Sequence, residues 1–245
     1  MPARQIIVHG DCWPVTTAVA HLVRAVLPGC DCEITYTLPV LMPLCRKQEA
    51  VLVLCLRPRE HLFLFYALKQ VLQDHPVMVI SDELLFSDRM VLKVYGNIPA
   101  LLQQELTETL IQTRRGEPWH GGVRPRVMRT LGGFLLSPAP VTGFLEVPQI
   151  FSSPKLLMNY MALLMYREML ACGVSPAQQR LLEGVYRGRG RLSTLCERPD
   201  GQDEKICLDL YYLLAQLGMR NRLRELLFGT RFCESLQRTP FIAPE

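Results

Sequence analysis

Between Glu49 and Arg57 stands the run Ala50-Val51-Leu52-Val53-Leu54-Cys55-Leu56, which contains no charged or hydrogen-bonding polar side chain other than a thiol. A strand with one wet face alternates polar and apolar residues, because successive side chains point to opposite faces. An unbroken run closed by Arg57-Pro58 fits a strand buried on both faces. Such strands belong to parallel sheets, where helical crossovers cover each side.

The rest of the first ~110 residues agrees with that reading. Ile6-Ile7-Val8 is a short apolar run that ends at Gly10-Asp11. From Pro14 to Leu27, Val15, Ala18, Val19, Leu22, Val23 and Val26 recur at helical spacing, and Pro28-Gly29 stops the helix. Ile34, Tyr36 and Leu38 alternate as a second strand. A helix is expected over His61 to Leu72, a fourth strand over Pro76 to Ser81, a fifth over Met90 to Tyr95 and a closing helix over Pro99 to Thr113. Repeated strand–helix–strand order implies a parallel sheet with helices on both faces.

This order resembles the receiver domain of bacterial response regulators. The resemblance implies a flavodoxin-like fold with acidic residues after the first strand, a phosphorylated aspartate after the third, a hydroxyl after the fourth and a lysine after the fifth. Asp11 stands at the first position, with Gly10 before it; Cys55 stands where the aspartate belongs, and Ser81 matches the hydroxyl. Lys93 lies two positions ahead of the expected lysine. A thiol cannot form the acyl phosphate a carboxylate forms, and a lone carboxylate is a poor magnesium site. The expectation is a degenerate receiver, residues 1–115, that does not accept phosphate. Cys55 then reads as a small core residue or a redox-active thiol.

Residues 116–170 read as a linker. Arg114-Arg115-Gly116-Glu117-Pro118 and His120-Gly121-Gly122 are turn-rich, and Phe134-Leu135-Leu136 and Phe144 to Val147 fit a hairpin or loops. Ser153-Pro154 opens a helix over 154–170, apolar nearly all round, destined for a core or for a second subunit.

The last segment, 171–245, reads as all-helical. Ser175-Pro176-Ala177-Gln178 is a capping box. A short helix fits Leu192 to Arg198. A longer one begins at Asp203-Glu204 and carries Ile206, Leu210, Leu213, Leu214 and Leu217 on one face, with Gly218 as its stop. A fourth fits Arg220 to Phe228. Helix, short helix, tight turn and longer helix is the helix-turn-helix layout. With Ser175-Pro176 at its start and Leu217-Gly218-Met219-Arg220-Asn221-Arg222 at its end, the segment resembles the DNA-binding domain of LuxR/NarL-type transcription regulators. The resemblance implies double-stranded promoter DNA as partner, with Lys205 and Tyr211 facing the groove and Arg189, Arg191 and Arg198 on phosphates. Asp203, Glu204 and Asp209 depart from the basic character expected of such a helix.

The formal charge of +4 is too small by itself to indicate nucleic acid, but the last segment uses ten arginines and one lysine, and arginine grips phosphate with a flat fork. The nine cysteines and five histidines form no metal-ligand spacing, and neither a nucleophile elbow nor a phosphate loop is present. No enzyme, cofactor or metal is expected, and no membrane span or secretory leader, which places the chain in the cytoplasm. Two functions remain: a DNA-binding regulator acting as homodimer or as coregulator beside another LuxR-type protein, and an adaptor on the same scaffolds that binds protein instead of DNA.

Overall fold

The computed structural model describes residues 5–46, 50–114, 126–147, 150–187, 202–220 and 223–243. It divides into two compact units. The first comprises Met1–Leu84, Val91–Ile150 and Gln237–Glu245; the second comprises Leu85–Met90 and Phe151–Leu236.

The first unit holds a five-stranded parallel sheet of order β2-β1-β3-β4-β5, built from β1 (Gln5–Gly10), β2 (Asp31–Thr35), β3 (Val51–Cys55), β4 (Val77–Ser81) and β5 (Ala100–Leu102). This is the flavodoxin-like order. Every residue of β1, β3 and β4 is buried, whereas the edge strands β2 and β5 are partly open. The alternation rule assigns the two faces. Ile6, Val8, Val51, Val53, Met78 and Ile80 face one layer, where α1 (Trp13–Val26) supplies Val19, Leu22 and Val23. Ile7, Leu52, Leu54 and Val79 are buried on the other side. At roughly 1.5–3 kcal/mol for each large aliphatic side chain taken fully out of water, these strands are the main stabilising element of the unit.

The connections are helical: α2 (Leu38–Cys45), α3 (Leu62–Ala67), α4 (Lys69–Asp74), α5 (Phe86–Val94) and α6 (Gln103–Arg114). Four expectations need correction. The second strand, expected on Ile34, Tyr36 and Leu38, ends at Thr35, and Leu38 opens α2. Met90 to Tyr95 is not the fifth strand: Met90 to Val94 lie in α5, whose first turn is held by the Asp88 carboxylate accepting from the Leu85 amide at 2.8 Å. The fifth strand is the three-residue β5, which follows the turn at Asn97. The helix expected over His61 to Leu72 is two helices, α3 and α4, which meet at Leu68. Residues 126–136, for which neither hairpin nor loop is correct, form α7 (Arg126–Leu136); its Val127, Leu131 and Leu135 complete the layer containing α1.

The second unit is helical: α8 (Pro154–Ala171), α9 (Pro176–Arg187), α10 (Gln202–Gln216) and α11 (Leu223–Gly229). Both expected caps are present. Ser153 accepts from the Leu156 amide at 3.4 Å, and Ser175 and Gln178 exchange reciprocal bonds at 2.8 and 3.2 Å. Gly218 ends α10 at φ +61°, a left-handed conformation open to glycine, and the Met219 amide bonds back to the Leu214 carbonyl at 2.8 Å. The short helix expected over Leu192 to Arg198 lies outside the described residues. No helix among the described residues is long and apolar enough to cross a membrane.

One buried base makes the first unit sensitive to acid. His9 in β1 is 5% exposed, with Nδ1 2.9 Å from the Thr35 hydroxyl. Burial, then the neighbouring His61, push its pKa down to about 4, against an opposing pull from Asp11. A base kept neutral in the folded state contributes fully above its unfolded pKa near 6.5. That contribution is lost as pH falls from there to about 4. Urea midpoints measured across this window are expected to fall by the equivalent of roughly 2–4 kcal/mol, and His9→Gln is expected to flatten that limb.

Candidate functional site

In a parallel sheet of this order the chain leaves β1 toward β2 on one side and returns to β3 on the other. The crevice at the carboxyl ends of these strands is the usual ligand position. Register aligns Gly10 with Cys55 and Cys55 with Ile80, so Asp11, Cys55 and Ser81 emerge side by side. All three line one pocket of about 150 Å³, together with Arg57, Glu60, Asp82 and Arg238. The three residues singled out from sequence are therefore brought together.

Their chemistry differs from that of a phosphate acceptor. Cys55 is 2% exposed, and burial, then the nearby Asp11 and Cys12, push its thiol up, so it stays protonated. Gly10 cannot be replaced by a second acid without rearrangement. A Cβ there would stand 2.3 Å from Thr16 Oγ1 and 2.7 Å from the Cys55 carbonyl oxygen. Ser81 donates its hydroxyl to the Glu83 carbonyl at 2.7 Å, which commits it to the turn after β4.

The charges of the site are compensated from within the chain. Arg57 grips Asp82 in two-point fashion, Nε to Oδ1 at 2.8 Å and Nη2 to Oδ2 at 2.5 Å, and also donates to Glu60 Oε1 at 3.0 Å. The hydrogen bond to Asp82, ahead of the cost of burial, raises the Arg57 pKa further above its already high ordinary value. Asp11 Oδ2 accepts from Arg238 Nη1 at 2.5 Å and lies 3.2 Å from His61 Nε2. Burial alone would raise the Asp11 pKa. The His61 bond and the His61 and Arg238 charges outweigh it and hold the carboxyl below its usual range. Arg238 Nε reaches Glu60 Oε2 at 2.9 Å.

A receiver-like fold implies a magnesium ion here, and these residues do not fit one. The ion requires several hard oxygens around it. Of the acidic pair only Asp11 is present, and the Oδ2 of Asp11 is already engaged by a guanidinium and an imidazole. Among the described residues no group of three His, Cys, Asp or Glu side chains is arranged to hold a metal.

Arg57, Glu60 and His61 carry a signal in the sequence, since Arg57-Pro58-Arg59-Glu60-His61 directly follows the β3 run. Arg238 carries none, as its contact with Asp11 spans 227 positions. Of the DNA-facing candidates, Tyr211 lies on α10 at 50% exposure, with its ring 5.8 Å from that of Tyr212. The backbone of Lys205 is in α10, and its side chain lies outside the described residues, as do Arg189, Arg191 and Arg198.

Thiol reactivity follows from these environments. At pH 8, iodoacetamide is expected to label exposed Cys12 and Cys172 while Cys55 reacts at least about 100-fold more slowly, because the thiolate is the nucleophile. Peptide mass spectrometry after timed quenching measures the difference. The chain matches no family model, no curated protein and no solved structure, so sheet order, register and site geometry stand on their own.

Proposed function

We propose that this chain is a DNA-binding transcription regulator that acts without phosphorylation, as a homodimer or as a coregulator paired with another LuxR-type protein. The observation that carries the reading is the two-faced character of α10. Leu210, Leu213, Leu214 and Leu217 are buried, while Leu208, Tyr211 and Tyr212 stand open to solvent. A helix with one buried and one open face, following the capped α9, is what this reading asks of a recognition helix, and arginine is the residue type suited to phosphate contacts. A sheet of receiver order whose acceptor position is a buried, protonated thiol supports regulation without phosphotransfer.

A second reading has its own support. Leu208, Tyr211 and Tyr212 form an apolar and aromatic outer face, and aromatic side chains are enriched at protein interfaces. In that reading the helical unit binds another protein, and the chain is an adaptor.

Dimerisation has a surface suited to it. On α8, Leu156, Asn159, Leu163, Tyr166 and Leu170 are all exposed, at spacings of three and four. That spacing matches the seam of a two-helix coiled coil, in which a polar Asn favours one register. A second copy presents the same seam, as a two-fold interface requires.

Two outcomes are expected. Fluorescence anisotropy with promoter fragments from the host genome should show binding that weakens steeply between 50 and 200 mM salt, as phosphate contacts release counterions. Absence of binding by the chain, alone or mixed with a LuxR-type partner, selects the adaptor. Sedimentation velocity should show a concentration-dependent dimer, and Leu163→Glu should weaken it at least about tenfold, the effect of roughly 1.4 kcal/mol.

A further inference from the structure

The segment Gln237–Ala243 belongs to no helix or strand, yet it is bound to the first unit by contacts of four chemical kinds. Helix α3 begins without a side-chain cap of its own, which leaves first-turn amides without an intrahelical partner. Gln237 supplies one: its Oε1 accepts from the Leu62 amide at 2.9 Å, while its Nε2 donates to the Arg59 carbonyl at 2.7 Å. The Arg238 amide donates to the Glu60 carbonyl at 2.8 Å, and its guanidinium spans Asp11 and Glu60. Thr239 Oγ1 is 3.0 Å from His61 Nδ1, so both ring nitrogens of this buried histidine are engaged, one by Asp11 and one by the segment. Phe241 stacks on Tyr66 at 5.7 Å and meets Phe63 edge-on at 5.5 Å. Past it, Ile242 and Ala243 line a groove of about 400 Å³ with Leu38, Met42 and Tyr66.

We propose that the crevice at the carboxyl ends of the strands is a peptide-binding site selective for an arginine followed three residues later by an aromatic, and that its resident ligand is the chain's own Gln237–Ala243. Each recognition element is matched: two carboxylates for the guanidinium, an imidazole for the hydroxyl, a two-ring shelf for the aromatic, and the Leu62 amide with the Arg59 carbonyl for the side-chain amide that precedes the arginine. Arg238, Pro240, Ile242 and Ala243 are exposed. The segment therefore lies on the unit as a strap and can leave while the sheet stays intact.

A partner peptide with the same groups, competing for the crevice, displaces the segment. The binding site itself does not depend on whether the helical unit reads DNA.

The test uses the full chain and a fluorescein-labelled synthetic peptide covering residues 234–245. In Arg238→Ala/Phe241→Ala, the internal occupant is weakened, and the peptide is expected to bind saturably, at least tenfold more tightly than to the wild type. A peptide carrying the same two alanines should not bind, and adding Glu60→Gln to the double variant should weaken binding of the unaltered peptide. Equal binding to wild type and variant, or none to either, overturns the proposal. Should the variant fail to fold, amide exchange on the wild type decides. Slow exchange at Leu62 and Arg238 that becomes at least tenfold faster at Arg238 with excess unlabelled peptide supports it; fast exchange at both without peptide, or slow exchange at Arg238 that excess peptide leaves unchanged, overturns it.

Discussion

Burial of β1, β3 and β4 on both faces is the constraint from which the first unit follows. Three adjacent strands with no wet face need a helical layer on each side, and parallel pairing supplies it because every return crosses the sheet. The same topology brings all the carboxyl ends to one edge. Residues 11, 55 and 81 meet there because Gly10, Cys55, Ile80 and Ser81 occupy neighbouring rungs of the ladder. The position of the pocket is thus set by apolar strands, and only its chemistry by the polar residues that follow them.

That chemistry replaces a soluble cation with fixed ones. Asp11, Glu60 and Asp82 would repel one another in a crevice partly shielded from water. In a receiver-like site a divalent ion relieves that repulsion; here Arg57 and Arg238 do. Guanidinium groups hold carboxylates in two-point geometry and remain charged at any ordinary pH, so the relief does not depend on ion concentration. The close approach of Gly10 to Cys55 completes the change, since it leaves no room for the side chain of a second acid.

The sequence was legible where burial is periodic. The β3 run, the α1 stripe, both serine caps and the Gly218 stop stand as read, and so does the convergence of Asp11, Cys55 and Ser81. Met90 to Tyr95 reads as a strand because Met90, Val91, Leu92, Val94 and Tyr95 are apolar, and all five are buried. An apolar run of that length fits a strand or a helix enclosed on several sides, and periodicity does not separate them. Helix α7 was obscured by Gly132-Gly133, although Val127, Leu131 and Leu135 recur every four residues. Arg238 had no local pattern at all, because what places it is the docking of a segment on loops distant in the chain.

The outer face of α10 limits how the proposed reader would work. A tyrosine hydroxyl can bond a phosphate and its ring can touch a thymine methyl, but neither makes the two-point base contact by which arginine or asparagine separates one base pair from another. Affinity from arginines on the backbone is insensitive to sequence. A single copy would therefore grip DNA more readily than it would choose a site. Joining two readers at fixed spacing makes the second contact intramolecular and demands both half-sites at once. On the proposed reading, with Tyr211 and Tyr212 on the outer face of α10, selectivity would come mainly from pairing, and the exposed seam of α8 would then serve recognition as well as assembly.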